Sequence, residues 1–347
     1  MNTSIPQQER IAALDIIRGL ALFGILFINV KAYIVLTEGM IIPEYTGIHQ
    51  AIDTLIVMFV EKKFFSIFSF LFGVGFYIFA SRAELRGDKP LWRFTRRLLA
   101  LLLLGVIHVF VFWGTILPMY ALIGLFLLPF YRAKVTTIRN WLGGIAGVYV
   151  LALILKLTIG HAVPLSGVVD FIISDMTLIF MMFLAGFLAA KADWIRRIGE
   201  LKKRIRLVQL WSLPVFIGLS VWIWTATQYG AENLKLIVSL SAIPGVLLYV
   251  TSLFLLLEHR VARTMLQPFA RVGQMALTNY VAQSLIGSLF ISIMGLETVS
   301  PANVVLIACL IMIVQLAYSS LWFRYFKMGP LEKAWRFMTY GKKQTAE

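Results

Sequence analysis

The chain has 347 residues, of which 60% are hydrophobic and only 14% are charged. Soluble domains carry about 45–50% apolar and about 25% charged residues, so this composition excludes an ordinary soluble protein. The formal net charge is +15, but the basic residues fall between long apolar runs rather than in one patch. Membrane topology therefore explains the charge better than nucleic-acid binding does.

The long apolar runs predict transmembrane helices. Crossing the hydrocarbon core takes about 20 apolar residues, and ten runs of about that length predict an all-α, polytopic transmembrane helix bundle. The predicted spans lie near residues 14–36, 61–80, 94–115, 116–131, 141–160, 171–190, 207–227, 234–257, 272–295 and 303–325. No loop is long enough for a soluble domain, so residues 1–347 are expected to form a single integral membrane domain.

Two parts of this pattern are irregular. The fourth run is short, so spans three and four are expected to form a tight hairpin or a partly re-entrant pair. Residues 37–60 mix polar and apolar side chains, which predicts an outer loop and an interfacial helix before the second span.

Loops that are rich in lysine and arginine alternate along the chain with loops that have few of them, so the two kinds fall on opposite sides of the predicted spans. The rich stretches are 82–97, 132–139, 191–206, 260–271 and the tail from Arg324. By contrast, the loops 37–54 and 296–303 contain no lysine or arginine. Because cytoplasmic loops carry the excess of these residues, both termini are predicted to be cytoplasmic. Contact with anionic membrane lipids is a secondary expectation.

Metal, disulfide and nucleotide-loop chemistry are not expected. Cys309 is the single cysteine, which excludes an intramolecular disulfide. The histidines are at no metal-ligand spacing; they are His49, His108, His161 and His259. The Gly73-Val74-Gly75 segment ends an apolar run without a strand or a Walker lysine, so it is interpreted as a helix-packing pair.

Polar side chains inside the spans are the candidates for function, because such groups are costly at membrane depth. In the first span Asp15 and Arg18 are three residues apart and are predicted to pair on one helix face. Asn29 follows Arg18 by almost three turns, so the two share a face about 16 Å apart. The alternative is that Arg18 anchors to headgroups and Asn29 bonds to a neighbouring helix.

His108 is the candidate general base. It follows Arg97 by about 16 Å along a helix, which places it close to the bilayer midplane. Histidine is the usual general base, and an idle histidine is costly in a membrane. The alternative is a hydrogen-bonded packing residue among leucines.

Two other groups of polar residues are candidates for substrate contacts. Glu61, Lys62 and Lys63 open the second span, where Lys62 is expected to anchor at the interface and Lys63 or Glu61 to face a cavity. In the ninth span Asn279 and Gln283 are four residues apart and share a face. These two amides either join helices or line the cavity of the candidate base.

Four sequence segments carry a family resemblance along nearly the whole chain. They are Arg10 to Asn29 with Asp15, Arg18 and Gly24; Lys63-Phe-Phe-Ser66 to Gly75; Gly105-Val-Ile-His108 with Ile116 to Gly124; and Gly273 to Tyr280 with Gly329-Pro330-Leu-Glu332-Lys-Ala-Trp335-Arg336. Together they resemble the YeiB family of bacterial polytopic membrane proteins, which carries a C-terminal domain of unknown function. The resemblance implies a multi-pass protein of the bacterial cytoplasmic membrane. One departure is Thr115, where the family pattern has an Asp.

The YeiB family in turn is similar to a wider group of transmembrane acyltransferases, which includes the lysosomal heparan-glucosaminide N-acetyltransferase and bacterial O-acyltransferases of surface polysaccharides. In that group an N-terminal helix carries an Arg, a ten-residue gap and then His or Asn, and Arg18 and Asn29 match the Asn version. The resemblance implies acyl-CoA-dependent acyl transfer. The histidine that follows this Asn in the lysosomal enzyme has no clear counterpart here, so a catalytic role for His108 is a separate prediction.

Resemblance and physical chemistry suggest how the donor would bind. Acyl-CoA or acetyl-CoA is expected at the cytoplasmic face, with its thioester reaching the midplane of the bilayer. Its phosphates would be attracted by arginine side chains. The predicted donor-binding residues are Arg18, Arg93, Arg96 and Arg97.

The acceptor is expected to arrive from the outer side. His108 is predicted to deprotonate its hydroxyl or amine, while Asn29 or Asn279 stabilises the oxyanion. The predicted substrate contacts are Glu61, Lys63 and Gln283. The acceptor class is a glycan or another small molecule; no nucleic-acid partner is expected, and a homodimer is left open.

Two other functions are consistent with the sequence. One is a transporter or lipid-binding protein without acyl transfer, although an inverted repeat and paired broken helices are not apparent. The other is a structural membrane protein whose polar residues only join helices.

Overall fold

The structure, a computed structural model, describes residues 7–38, 45–160 and 165–341. The side chains of residues 7–11 and 34–38 lie outside that description. Parts of the predicted 37–54 loop and of the turn near residue 160, and the basic residues after Gly341, also lie outside it.

The described residues form α-helices and one short 3₁₀ helix, without a β-strand. The helices are α1 (Gln7–Glu38), α2 (Gly47–Phe59), α3 (Lys63–Leu85), α4 (Pro90–Val109), α5 (Leu117–Leu125), α6 (Val135–Ile159), α7 (Ser166–Ile172), α8 (Asp175–Lys191), α9 (Ile198–Gln228), α10 (Leu234–Leu257), α11 (Arg260–Met265), α12 (Gln267–Gln274), α13 (Ala276–Ile293), α14 (Pro301–Tyr325) and α15 (Pro330–Tyr340). The 3₁₀ helix is Leu128–Tyr131.

Within the described residues, 8 helical segments are long and apolar enough to cross a membrane. They include α1, α3, α6, α8, α9, α10, α13 and α14. Each of these coincides with a predicted span to within about ten residues at either end. The expected all-helical, multi-pass membrane architecture is confirmed.

The third and fourth predicted spans depart from this regular pattern. α4 carries three arginines in its first half, and α5 has only 9 residues, or about 14 Å of helix. Pro129 follows, and a residue before proline is disfavoured in a helix, so the chain continues as a 3₁₀ helix. Within the described residues, neither α4 nor α5 is among the 8 candidate spans, whereas the sequence predicts spans near 94–115 and 116–131.

The expected hairpin between these two elements is confirmed. Gly105 of α4 faces Pro118 at the start of α5, and Leu98 faces Gly124 near its end, so the two helices are antiparallel. The chain then returns to Tyr131, whose hydroxyl donates to Glu84 at the end of α3.

Glycines bring two pairs of helices into backbone contact. A Cβ on Gly273 of α12 would lie 1.9 Å from the carbonyl oxygen of Asp15 on α1. Likewise, a Cβ on Gly186 of α8 would lie 1.8 Å from the carbonyl oxygen of Phe70 on α3. Small residues allow transmembrane helices to approach this closely. Gly73 faces Phe183 of α8 in the same way, as expected for a packing glycine.

Residues before the second span form the expected helix, α2. Thr54, Ile56 and Met58 of α2 are buried, and the helix packs on α9 and α14. Lys62 then adopts a left-handed conformation with φ of 63° and joins α2 to α3. This change of direction fixes which of the neighbouring polar side chains reach the interior.

Arg82, Arg86 and Arg97 lie at one end of the bundle, which we call the basic end. The ends of α3 and α8, the start of α4 and the helix α15 meet there. Trp335 of α15 donates its indole N–H to the carbonyl oxygen of Arg97 at 2.8 Å, and Arg86 donates to the Tyr340 hydroxyl at 3.2 Å. α15 therefore lies across the basic end.

Candidate functional site

Three cavities lie in series through the bundle. The first, the vestibule, has a volume of about 530 Å³ and opens at the basic end. The second, the middle cavity, has about 220 Å³. The third, the far cavity, has about 300 Å³ and lies toward the opposite end, beside Lys62 and Asp175.

Shared wall residues show that the cavities adjoin one another. The vestibule and the middle cavity share Gly75, Arg97, Gln274, Glu332 and Trp335. The middle and far cavities share Ile25, Ile116 and Tyr280. The three cavities therefore follow one another from the basic end to the far cavity and are separated by these two sets of side chains.

The vestibule combines arginine and aromatic side chains. Its wall includes Phe79, Arg82, Arg86, Arg97, Trp335, Arg336 and Tyr340. The guanidinium of Arg97 lies 3.7 Å from the centre of the Trp335 ring and 4.8 Å from that of Phe79, which are cation–π distances. Guanidinium groups suit phosphate, and aromatic faces suit planar rings, so this surface can bind a phosphorylated aromatic ligand.

Glu332 holds α15 against the vestibule wall. Its carboxylate accepts the backbone N–H of Leu277 at 2.7 Å and of Thr278 at 3.1 Å, at the start of α13, and the Thr278 hydroxyl at 2.6 Å. Burial raises the pKa of the Glu332 carboxyl, although these hydrogen bonds oppose the change.

Two of the four predicted donor-binding arginines meet at the middle cavity. Arg18 of α1 and Arg97 of α4 both line it. Arg18 donates to Asp15 at 2.6 Å, which confirms their predicted pairing, and to the Gly273 carbonyl oxygen at 3.4 Å. Apart from these two guanidinium groups, Gln274 and Glu332, most of the wall is apolar and aromatic; it includes Phe68, Leu71, Phe72, Phe76, Phe94 and Leu101.

The other two predicted donor-binding arginines do not line the vestibule or the middle cavity. Arg93 forms an ion pair with Asp88 at 3.0 Å, and Arg96 donates to the Met338 carbonyl oxygen at 3.0 Å. Both guanidinium groups are held at the rim of the basic end by structural contacts.

His108 lies at the end of α4 between two hydroxyl groups. Its Nδ1 is 2.9 Å from Thr115 Oγ1, and its Nε2 is 2.9 Å from Ser284 Oγ on α13. The turn after α4 places Thr115: Phe112 N–H donates to the His108 carbonyl oxygen at 2.8 Å, and Thr115 N–H donates to the Phe112 carbonyl oxygen at 3.1 Å. The histidine is only 2% exposed.

One tautomer of His108, with its proton on Nε2, satisfies these two contacts and the contact of Ser284 with Val281 at once. Ser284 Oγ lies 2.8 Å from the Val281 carbonyl oxygen; when it donates there, it accepts from His108 Nε2–H. A neutral imidazole with a proton on Nε2 has its lone pair on Nδ1. In that tautomer Thr115 donates its hydroxyl proton to Nδ1.

Of the three hydrogen-bonded residues Thr115, His108 and Ser284, Thr115 faces the far cavity. Asn29, Thr115 and Tyr280 all line it, whereas His108 lies behind Thr115 and is not part of the wall. The Tyr280 hydroxyl accepts the Ile116 backbone N–H at 3.1 Å, and its ring centroid is 5.6 Å from that of His108. Asn29 shares the wall of the far cavity with Thr115 and Tyr280, and Thr115 links this wall to His108.

The sequence leaves open whether Glu61 or Lys63 faces a cavity, and the structure places Glu61 there. Glu61 and Lys62 line the far cavity, and Lys62 forms an ion pair with Asp175 at 2.7 Å. Lys63 is fully buried, and its ammonium donates to the Val57 carbonyl oxygen at 3.3 Å instead of facing the cavity. The chain changes direction at Lys62, which is left-handed, so Lys62 faces the far cavity and Lys63 faces the interior.

Asn279 and Gln283 are directed at α14 rather than at the three cavities. The Asn279 amide donates to the Val272 carbonyl oxygen at 2.9 Å and to Ser319 at 3.2 Å. Gln283 donates to Gln315 Oε1 at 3.0 Å. Of the two interpretations of this pair, the structure supports the joining of helices.

Comparison with known proteins identifies relatives over nearly the whole length of the chain. It is 32% identical over 360 residues to an "Uncharacterized 39.9 kDa protein in amylase 3'region" of Bacillus acidopullulyticus, covering 98% of this chain and 96% of the relative. It is 30% identical over 386 residues to "Uncharacterized protein YxaH" of Bacillus subtilis, covering 96% and 94%. The family model "Protein of unknown function (DUF418)" matches residues 189–342. The chain belongs to the DUF418 family.

The expected kinship with YeiB is confirmed. This DUF418 protein is 28% identical over 381 residues to "Uncharacterized protein YeiB" of Escherichia coli, covering 95% of this chain and 96% of the relative. No solved structure was found to match. The family match includes Tyr280, Ser284 and Glu332, while His108 and Thr115 precede it.

Sequence reasoning missed two members of the His108 site in this DUF418 protein. Ser284 and Tyr280 were not among the candidates, although they are four residues apart and share a face of α13. Thr115 was noted only as a departure from a family pattern. A search for hydroxyl groups at helical spacing in apolar runs would have found the first two.

Proposed function

We propose that the protein is a transmembrane acyltransferase that moves an acyl group from cytoplasmic acyl-CoA to a hydroxyl or amine acceptor on the outer side of the membrane. The observation that carries this proposal is the Thr115–His108–Ser284 chain of hydrogen bonds at a cavity in line with an arginine-rich vestibule. A hydroxyl, a base and a group that orients the base are the parts that acyl transfer needs.

The donor half of the proposal is supported by the vestibule and the middle cavity. Arg82, Arg86 and Arg97 supply positive charge for phosphates, and Trp335 supplies an aromatic face for a planar ring. The apolar middle cavity suits the neutral arm that carries a thioester. His108 follows Arg97 by about 16 Å of helix, so the thioester would have to travel that far into the bundle.

The acceptor half is supported by the far cavity. Asn29, Glu61, Lys62 and Asp175 give its wall hydrogen-bonding groups of both kinds. Such a wall suits a hydroxyl-rich compound such as a glycan. Tyr280 and Asn29 are the groups placed to donate hydrogen bonds to an oxyanion, and His108 is the proposed base, acting through the hydroxyl of Thr115.

The proposal is tested with the purified protein in lipid nanodiscs and with acetyl-CoA and palmitoyl-CoA as probes. Thermal unfolding reports binding, and release of the CoA thiol reports chemistry. Wild type is expected to be stabilised by one of the probes and to release thiol. Arg97→Ala should lose the stabilisation, whereas His108→Ala should keep it and lose thiol release.

A matched control separates the vestibule from general attraction to basic charge. Arg206 is exposed on α9, away from the three cavities, so Arg206→Ala should bind acyl-CoA as wild type does. Absence of binding by both probes would remove the donor half of the proposal. Uptake that depends on an ion gradient and consumes no acyl-CoA would favour the transporter instead.

A further inference from the structure

We propose that Thr115 is the nucleophile of the transfer reaction and carries the acyl group as an ester between the donor and the acceptor. This inference rests on the proposed acyl transfer and adds a covalent intermediate to it. It explains why the base is not part of a cavity wall, since His108 then acts on Thr115 and not directly on a substrate.

The direction of the hydrogen bonds is the first argument. Ser284 Oγ lies 2.8 Å from the Val281 carbonyl oxygen and 2.9 Å from His108 Nε2, and the Nε2–H tautomer satisfies both contacts. In that tautomer Thr115 donates to His108 Nδ1, which is the arrangement of a hydroxyl activated by a general base. If the proton of Ser284 pointed at the imidazole, Nδ1 would carry a proton and Thr115 could not be activated.

The surroundings of the Thr115 oxygen are the second argument. Thr115 is partly exposed to the far cavity, close to where Tyr280 and Ile116 separate that cavity from the middle cavity. A thioester that arrives through the middle cavity and an acceptor in the far cavity would therefore meet at the same hydroxyl. The Tyr280 hydroxyl accepts the Ile116 N–H and lies within hydrogen-bonding reach of Thr115 and Asn29, so it is placed beside an oxyanion that develops at Thr115.

Acylation of the enzyme would proceed as follows. Thr115 Oγ attacks the thioester carbonyl carbon while its proton passes to His108 Nδ1. The tetrahedral oxyanion collapses, the C–S bond breaks, and the leaving thiolate takes the proton from Nδ1. The products are CoA thiol and an ester on Thr115.

Deacylation would repeat these steps with the acceptor. Its hydroxyl or amine attacks the ester carbonyl carbon and gives its proton to His108 Nδ1. The bond to Thr115 Oγ breaks, and the threonine oxygen recovers the proton. The sum is a thioester and an alcohol or amine converted to an ester or amide and a thiol, with no oxidant or reductant.

The test is intact-protein mass spectrometry of the nanodisc protein after incubation with acetyl-CoA and an acid quench. Wild type is expected to gain the mass of one acetyl group, which peptide mapping places on Thr115. Thr115→Val keeps the shape but should lose the adduct and reduce thiol release by about 10²-fold to 10⁴-fold. Thr115→Ser should restore both, which distinguishes lost chemistry from lost folding.

Controls separate the two proposals. Thr251→Val removes a hydroxyl that donates to the carbonyl oxygens of Leu247 and Leu248 on its own helix, α10, and should leave the adduct unchanged. Thiol release and transfer at the wild-type rate in Thr115→Val would overturn the covalent intermediate while leaving acyl transfer intact. No thiol release and no adduct in wild type would overturn both.

Discussion

At the residue scale, the proposed chemistry depends on the state of one imidazole. His108 has a hydroxyl on each side, and one of them, Ser284, also contacts a second acceptor, the Val281 carbonyl oxygen. Ser284 is not part of the walls of the vestibule, the middle cavity or the far cavity, so its proposed part in catalysis is to position the base. On the same helix, Asn279 and Gln283 form hydrogen bonds with α14. Neighbouring polar residues of this helix therefore have different roles: the two amides join helices, and the Ser284 hydroxyl contacts His108.

Ser284→Ala tests this positioning role. Loss of the acceptor frees His108 to take either tautomer and removes a hydrogen bond from the imidazolium. A hydrogen bond to a charged group is worth about 1.5–3 kcal/mol, so kcat for acetyl-CoA should fall by roughly 10-fold to 100-fold, with KM unchanged. Ser284→Thr keeps the hydroxyl and should restore kcat. A lower thermal stability with an unchanged kcat would mean that Ser284 is only structural.

At the element scale, the site is positioned by helices that touch backbone to backbone. Gly73 and Gly186 set the distance between α3 and α8, and Gly19 and Gly273 set that between α1 and α12. Because α3 and α1 supply walls of the middle cavity, these glycines determine its width. The carbonyl oxygens opposite them are backbone atoms and cannot move aside.

Gly186→Leu is therefore expected to destabilise the bundle. Overpacking a filled interior costs about 1–3 kcal/mol, and here the added atoms would overlap the Phe70 carbonyl group. The matched control is Gly143→Leu on α6, where an added Cβ meets nothing within 4 Å. Thermal unfolding in detergent measures both, and an equal midpoint for the two variants would contradict this account of the packing.

The docking of α15 is the second prediction at this scale. Burial raises the pKa of Glu332 above its ordinary value of 4.5, so docked α15 binds the proton more tightly than free α15 does. Docking is then strongest below pH 4.5 and weakens as the pH rises through the raised pKa. Hydrogen exchange of residues 330–340 across this range measures it. Glu332→Gln should abolish the dependence on pH, and protection of wild type that increases with pH would contradict the prediction.

At the scale of the whole molecule, the proposed donor and acceptor sides of the series of cavities depend on the predicted membrane orientation. The basic end would then face the cytoplasm, where acyl-CoA is found, and the far cavity would face outward. This orientation is supported by the distribution of lysine and arginine between the loops alone.

Single-cysteine labelling tests this orientation. Cys309 is the only native cysteine, so Cys309→Ser gives a background without thiols. Glu297→Cys lies in an exposed loop without basic residues, and Lys202→Cys lies at the exposed start of α9. A membrane-impermeant maleimide should label Glu297→Cys in intact cells and Lys202→Cys only after permeabilisation. The reverse pattern would place the vestibule on the outer side and contradict acyl-CoA as the donor.

The sequence by itself determined the membrane class, most of the spans and the family. Spans are set by the length of apolar runs, which is a local property, and the runs near 234–257 and 303–325 coincide with α10 and α14 almost to the residue. The Asp15–Arg18 pair was also predictable, because residues three apart in a helix are neighbours.

Only the tertiary structure decided which polar residues share a site. His108 and Ser284 are in contact although they are 176 residues apart in the chain, and no local periodicity encodes such a contact. The turn after α4 turned Thr115 toward the far cavity, and the left-handed Lys62 turned Lys63 away from it. A side chain's depth follows from its place in a helix, but its direction depends on how that helix packs against the others.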